Sequence, residues 1–474
     1  MSRYLTFAIR NLPSLLAATS VFLVASGCFA TDEIPVGTGE SVRDRIAQAN
    51  EGDTIVIAPG AIIEPILIRK SIHLRGSGSQ RVNCGPLIIQ ADNVTVENLA
   101  PGGDDNAVIR IERVTGATIR NCLIRNTNRS HLGYGLKAYT VDQIVIENCR
   151  VHDNSVGLLF LHASNIRIAG CDIRNDNDGI ILADESRDIE ISNCFIHRHQ
   201  GQGRPGAHAD GIQTFRTVDN LTIRNCQLVG NMQHMHFEST TGILIEDCIC
   251  FGSLANGVSF AWRNTTEATI RRSTLGFSGL TLLNLTAYGY DLKENILVSG
   301  HAKPCLVTIG IDDLESDDNQ FWNTIRADSP MMAASEVRYH RDFGEYQEAS
   351  GLDQNSIYAD PGFANAPLAV AAINPKRFDL MTPNWLPIWT HINLFKVGDT
   401  IEVGFDGVMR TCLEIRDEGI VIDPPLAELP ANAVMVTTWG NNQNIQLDLS
   451  RPGQPNGHRP GLVPVDDASS NFSK

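Results

Sequence analysis

Hydrophobic and polar residues alternate along most of this chain in short runs, and the runs recur. Ile119-Arg120-Asn121-Cys122 returns as Ile146-Glu147-Asn148-Cys149, Ile168-Ala169-Gly170-Cys171 and Ile191-Ser192-Asn193-Cys194, then as Ile223-Arg224-Asn225-Cys226 and Ile245-Glu246-Asp247-Cys248. Successive cysteines of this series are 27, 22, 23, 32 and 22 residues apart, a base period of about 22 with two insertions. A second phase accompanies the first: Gly135-Leu136, Gly157-Leu158, Gly179-Ile180, Gly211-Ile212 and Gly257-Val258 each stand 11 to 13 residues before the matching isoleucine. Alternation with period two predicts strands, and the Asn, Asp and Gly residues between the runs predict turns. No repeat has room for a helix, so strands of one coil must pair with strands of the next, burying one continuous core. The expected fold is all-β: a right-handed parallel β-helix of about 22-residue coils.

The strong helix signal lies at Ser41 to Asn50, with Ser41 as N-cap and Val42, Ile46 and Ala47 on one face. It predicts a lid over the first coil, and the β-helix with this cap is expected to occupy residues 31–365. Residues 366–392 are irregular and rich in Pro and Trp, and read as a linker. Residues 393–446 carry short strand patterns at Val397 to Val403, Thr411 to Ile415 and Gly419 to Ile422, a small appended β-domain. Residues 447–474 are polar and Pro/Gly-rich, a disordered tail.

These repeats resemble the pectin-lyase-like superfamily of right-handed parallel β-helices. The segment Gly52-Asp53-Thr54-Ile55-Val56-Ile57-Ala58-Pro59-Gly60 resembles that superfamily's first strand. Glu345-Tyr346-Gln347 through Gly351-Leu352-Asp353, then Ala359-Asp360-Pro361-Gly362-Phe363, resembles the closing segment of many bacterial members. The resemblance is specific for fold; one such scaffold hosts many chemistries.

The net charge of -16 argues against nucleic acid, which needs clustered Lys and Arg. It also means that an acidic substrate must meet local cations, from side chains or a metal. Residues 1–30 read as a signal peptide: Arg3 and Arg10 precede an apolar stretch, Leu15 to Ala25, that is too short to span a bilayer. Cleavage after Ala30 would release a secreted or periplasmic protein starting near Thr31. Ala25-Ser26-Gly27-Cys28 resembles a lipobox, whose use would anchor the protein through Cys28 as an outer-membrane lipoprotein. No later segment is apolar enough to cross a membrane, and a monomer is expected. Of the 11 cysteines, the six of the repeat share one register and should point inward as a stack of free thiols.

A packed β-helix places chemistry on its outer faces. Counting from each Gly, one outward row runs Arg110, Lys137, Leu159, Ile181, Gln213, His236, Ser259, and the next Glu112, Tyr139, Leu161, Ala183, Phe215, Glu238, Ala261. Asp178 and Asp210 precede the Gly on neighbouring coils, about 4.8 Å apart by strand stacking. Carboxylates so placed repel, so one pKa rises or a cation such as Ca²⁺ binds between them. The insertion Gln200 to Asp210 brings Arg204 and His208, while Arg263 ends a following strand. His208, Asp210, His236 and Arg263 are the candidate catalytic groups. Lys137, Tyr139, Gln213 and Glu238 are the candidate substrate contacts, the first two roughly 14 Å away. The bland readings are Asx-Gly turns for the aspartates and ordinary surface histidines. Leu159, Leu161 and Ile181 interrupt the polar row and call for a cover, either a loop or the C-terminal domain.

Three functions fit. The resemblance implies first a lyase, which removes the C5 proton of a uronate and eliminates the glycosidic oxygen; a uronate C5-epimerase would use nearly the same groups. The second is a polygalacturonase-type hydrolase. Asn177-Asp178-Gly179 resembles that family's first Asn-x-Asp-Gly motif without its intervening residue, Ala209 replaces one aspartate of its second, the glycines around its histidine are missing, and Arg263 lacks the following x-Lys. The third is a non-catalytic carbohydrate-binding or adhesin solenoid. An acidic polysaccharide is the expected partner, and the lyase is the leading expectation.

Overall fold

The computed structural model describes residues 32–438, apart from 104–105, 127–132, 200–208, 262–264, 279–282, 286–287, 300–305, 309–312, 324–331, 335–341, 362–368, 389–391, 405 and 431–434. The signal peptide, Cys28 and the tail therefore lie outside the described residues, as do His208, Arg204 and Arg263. Among the described residues no helix is long and apolar enough to cross a membrane.

Short strands stack coil upon coil in parallel register, through about 11 turns. Each full coil contributes to three faces. The first holds the Ile-x-Asn series, such as Thr118–Arg120, Val145–Glu147, Ser186–Ser192 and Val218–Arg224. The second holds the strands after each Gly, such as Tyr134–Asp142, Asp178–Ala183, Asp210–Phe215 and Gln233–Glu238. The third holds those after each Cys, such as Arg150–His152, Asp172–Arg174 and Phe195–His197.

The turn between the first and third faces explains the repeated Asn. Asn98, Asn121, Asn148, Asn193, Asn225 and Asp247 all adopt φ of 51 to 55°, a left-handed conformation that Asn and Asp tolerate, and Gly170 takes the same place at 63°. The cysteine that follows turns inward. Cys122, Cys149, Cys171, Cys194, Cys226 and Cys248 are free and buried, and each thiol meets the carbonyl of the residue two before it, as Cys122 Sγ does with Arg120 O at 3.3 Å.

The N-terminal helix spans Val42–Gln48 and is capped by Ser41, whose Oγ accepts from the Asp44 N–H. Val42 and Ile46 enter the core; Ala47 stays exposed and Ala49 is buried instead. A second helix, Phe343–Ser350, was not anticipated from hydrophobic periodicity; its single buried residue is Tyr346, too little to make a stripe.

A six-stranded antiparallel sheet follows the β-helix. It includes the expected strands Thr400–Val403, Arg410–Arg416 and Gly419–Asp423, with Met435–Thr438. Its other strands, Ala369–Ala372 and Trp385–Pro387, come from the stretch expected to be linker. Neither shows alternation, and Pro387 suits an edge position where a missing N–H is harmless. This sheet approaches the third face of the β-helix: Met409 packs against Val229, Ile249, Phe251, Phe277, Ile296 and Val298.

Candidate functional site

The outward rows of the second face follow the predicted register. Lys137 pairs with Arg110 and Leu159, Leu159 with Ile181, Ile181 with Gln213, Gln213 with His236, and His236 with Ser259. The next row pairs Tyr139 with Glu112 and Leu161, Leu161 with Ala183, and Ala183 with Phe215.

A third row lies nearer the turn. Tyr134 pairs with Val156, Val156 with Asp178, and Asp210 with Gln233. Gln233 Oε1 accepts in turn from Asn256 Nδ2 at 3.3 Å. The second face is thus divided along its length. Val156, Leu159 and Ile181 form an apolar cluster with Tyr134, Leu161 and Phe215, separate from the core. Asp178, Asp210, Gln233, Gln213, His236, Glu238 and Ser259 make a polar stretch beside it. The three apolar residues are thus covered by their own neighbours, whereas Met409 of the C-terminal sheet packs on the third face. Among the described residues the aromatic rings of adjacent coils lie against the branched side chains, and the loop 200–208 that could also cover them lies outside the described residues.

The polar stretch contains two coupled pairs. Asp178 Oδ1 accepts from the Asp210 N–H at 3.0 Å, and Asp178 Oδ2 accepts from Asn177 Nδ2 at 3.0 Å. Burial pushes the Asp178 carboxyl up to about 6, against these hydrogen bonds, which favour its ionised form. Asp210 is fully buried. Burial, and then the charge of Asp178, holds its carboxyl well above the usual carboxylate range. Its Oδ1 accepts from Gln233 Nε2 at 3.1 Å, and its Oδ2 is buried with no hydrogen-bond partner among the described residues. The second pair is His236 and Glu238, with Nε2 3.1 Å from Oε1. Asp210 and His236 stand on neighbouring coils, offset by about 10 Å along the strand, and the Glu238 charge reaches Asp210 and raises its pKa further.

These groups face outward, as expected, but they are not the exposed side chains the pattern suggested: Asp210 is 0% and His236 7% accessible. Gln233 covers Asp210 from the next coil, and Glu238 lies against His236. His234 departs further. It takes the position of the row glycine, where Gly211 stands on the preceding coil, and turns to the inner corner. There Nδ1 meets Asn231 Nδ2 at 3.1 Å and burial lowers its pKa to about 3. Lys137 and Tyr139 lie apart from the polar stretch. Lys137 Nζ sits 5.3 Å from the Tyr134 ring centroid, and the exposed Tyr139 meets His162 edge-on at 5.5 Å.

The pattern did not single out the polar ladder inside the same corner. Asn126, Asn154, Asp176, His199 and Asn231 are all buried there. The Asn126 N–H donates to Asn154 Oδ1, the Asn154 N–H to Asp176 Oδ1, and the His199 N–H to Asn231 Oδ1. The glycine row makes room for it. A Cβ at Gly157 would stand 2.7 Å from Asp176 Oδ2, and one at Gly179 would stand 2.9 Å from His199 Nε2. A signal for it existed: Asn154, Asp176 and Asn231 each stand three residues before the Gly-row position, an offset hidden elsewhere by insertions.

No group of three or more His, Cys, Asp or Glu converges as a metal site among the described residues. A cation at Asp178 and Asp210 would therefore rest on two carboxyls, with its other ligands from water or substrate.

Comparison with known proteins matches residues 106–275 to the family described as "Right handed beta helix region". A cell surface glycoprotein of Methanothermus fervidus is 36% identical over 81 residues, which are 16% of this chain and 14% of that protein. An uncharacterized protein of Bacillus subtilis, YwoF, is 23% identical over 282 residues, which are 57% of this chain and 53% of that one. The chain thus spans about half or less of the length of these curated relatives. Among solved structures, pectate lyase Pel9A shares 14% identity at a TM-score of 0.41, covering 61% of this chain and 79% of its own. The A-module of the Azotobacter vinelandii mannuronan C-5 epimerase AlgE6 shares 12% identity at a TM-score of 0.45, covering 69% and 97%. Stacked parallel coils and a family match that spans Asp178, Asp210 and His236 make this chain a right-handed parallel β-helix protein.

Proposed function

We propose that the polar half of the second face is the active site of an enzyme that cleaves an extracellular, uronate-containing polysaccharide by β-elimination. One observation carries this reading. A buried carboxyl pair, in which Asp210 Oδ2 has no hydrogen-bond partner among the described residues, lies on the outward side of the strands one coil from a histidine held by a carboxylate. Inside a core such groups would be structural; on an outward face they await a ligand.

Elimination begins with removal of the uronate C5 proton. His236, whose Nε2 lies 3.1 Å from Glu238 Oε1, would take this proton as base. The C5–H electrons form the C4=C5 double bond, the C4–O bond breaks, and the imidazolium returns its proton to the leaving oxygen. The C5 proton is acidic enough only if the uronate carboxylate is neutralised. Asp210, whose carboxyl burial and the Asp178 charge hold well above the usual carboxylate range, would donate its proton to that carboxylate, and Asp178, raised to about 6, sets how firmly the proton is held. Ca²⁺ held by Asp178 and Asp210 would supply the same neutralisation. Lys137 and the rings of Tyr134 and Tyr139 hold more distant sugars by charge and stacking, and Gln213 hydrogen-bonds the sugar beside His236.

A hydrolase is the second reading, favoured by the two raised carboxyls: Asp210 would act as general acid and Asp178 as base. Incubation with polygalacturonate, alginate and other acidic polysaccharides separates the two. Absorbance of the unsaturated product together with new chain ends supports elimination. Reducing ends without absorbance support hydrolysis. Binding with neither would leave a carbohydrate-binding solenoid and overturn the enzyme.

A further inference from the structure

A cavity of about 400 Å³ opens at the corner between the first and third faces, near the N-terminal end. It is lined by Arg75, Arg81, Glu97, Asn98 and Asn121, with Gly76, Gly78 and Ser79 of a tight loop. It stands five coils from the Asp210 coil, about 24 Å along the axis. It therefore belongs to neither the acid pair nor the apolar cluster of the second face.

Its charges do not cancel. Arg75 is paired with Glu33 at 2.8 Å, and Glu97 accepts from Arg120 at 2.8 Å and contacts His73 at 3.0 Å. Arg81 has no carboxylate within ion-pair distance among the described residues. Its Nε donates to the Asn121 carbonyl at 2.7 Å, which anchors the guanidinium by one edge, and its terminal amino groups have no hydrogen-bond partner among the described residues. A half-buried guanidinium fixed at one nitrogen presents a fork suited to a carboxylate or sulfate.

The loop adds donors. Asn98 Nδ2 donates to the carbonyls of Gly76, Gly78 and Gln80 at 3.5, 2.9 and 3.2 Å, which folds the loop around one amide. Gly76 is required there, because a Cβ would meet the Asn98 carbonyl; Gly78 is required for its φ of 78°. The N–H groups of Gly78, Ser79 and Arg81, residues that line the cavity, find no acceptor among the described residues. Consecutive free N–H groups beside an anchored arginine are the donor set of an oxyanion site.

We propose that this cavity is a secondary binding site for the anionic group, carboxylate or sulfate, of an acidic polysaccharide. It would anchor the polymer away from the cleavage face and raise its local concentration there. The idea rests on the acidic substrate proposed above but not on the chemistry of its cleavage.

The test separates the two. In a His236→Ala background, binding of a galacturonate hexamer, a sulfated oligosaccharide, a neutral cello-oligosaccharide and inorganic sulfate is measured by calorimetry, with and without Arg75→Gln and Arg81→Gln together. The proposal expects an acidic oligosaccharide to bind at two classes of site. The double arginine variant should lose one class, with affinity there falling at least tenfold, at an unchanged melting temperature. On otherwise unaltered enzyme the same pair should raise KM for long polymer and leave cleavage of short oligomers untouched. Equal binding with and without the arginines overturns the site, as does no binding at all. Binding of inorganic sulfate alone overturns its role in holding polymer. Loss of turnover in His236→Ala with this pattern of binding intact leaves the two proposals independently judged.

Discussion

Asp176 and Asp178 stand two residues apart on opposite sides of one turn, and both have carboxyls raised above the ordinary range, chiefly by burial. Among the described residues each neighbourhood contains an oxygen without a hydrogen-bond partner, Asp176 Oδ2 inside and Asp210 Oδ2 outside. A perturbed acid alone therefore does not mark a site. The inner carboxyl is one rung of a ladder that runs from Asn126 to Asn231, and the glycine row leaves no space beside it for anything else. The outer pair is bordered by Gln233, His236 and Glu238 on the outward side of the same strands. The same energetic signature is structural in one place and chemical in the other, and the direction of the side chain decides which.

The two sides should separate under pH first. Asp178 has a folded pKa near 6 against an unfolded value near 3.8. Its contribution is fully present below pH about 4 and is lost as pH rises through 6, because the folded state binds the extra proton. Two pKa units correspond to on the order of 3 kcal/mol. Asp178→Asn should remove this loss, so that denaturant melts of variant and wild type diverge in the variant's favour between pH 4 and 7. Parallel curves across that range would place Asp178 in a wetter setting than its burial implies.

Next in size is the glycine row. At Gly179 a Cβ would stand 2.5 Å from the Gly211 carbonyl and 2.9 Å from His199 Nε2. Gly179→Ala should cost about 2 kcal/mol, the scale of overpacking, read as a fall in the denaturation midpoint. A neutral result would show that the corner yields, and the inner ladder would then lose its claim to be closed. The smallest effect belongs to Lys137. Lys137→Ala should raise KM about fivefold or less with turnover kept, the worth of one surface charge contact. A fall in kcat instead would bring Lys137 into the chemistry.

Much of this arrangement could be read from the chain. The period of Ile-x-Asn-Cys and the Gly-Leu phase fixed which residues share a row, because a side-chain period of two leaves only one register consistent with a buried face. Arg110 to Ser259 pair coil by coil as that register requires. Burial was harder to read. Asp210 and His236 face outward yet are nearly inaccessible, with Gln233 and Glu238 hydrogen-bonded to them from positions that a one-dimensional pattern treats as independent. The inner ladder was missed for a related reason: Asn154 and Asp176 look like ordinary turn residues, and only the closed glycine space shows that they point inward. Ala369–Ala372 and Trp385–Pro387 carry no alternation, so their place in the C-terminal sheet is set by partners distant in sequence.

The central claim is that the outer acid pair works on substrate while the inner one only holds the fold. Turnover of Asp210→Asn on the acidic polysaccharide that the wild type cleaves best, measured beside its melting temperature, tests this most directly. Asparagine keeps the shape and can still accept from Gln233, but its amide has no ionisable proton to share with a substrate carboxylate. The account predicts a loss of at least about a hundredfold in kcat, the usual scale for an acid–base group, with a melting temperature no lower than that of the wild type, because the variant no longer has to keep a buried carboxyl protonated. Full activity in this variant would contradict it.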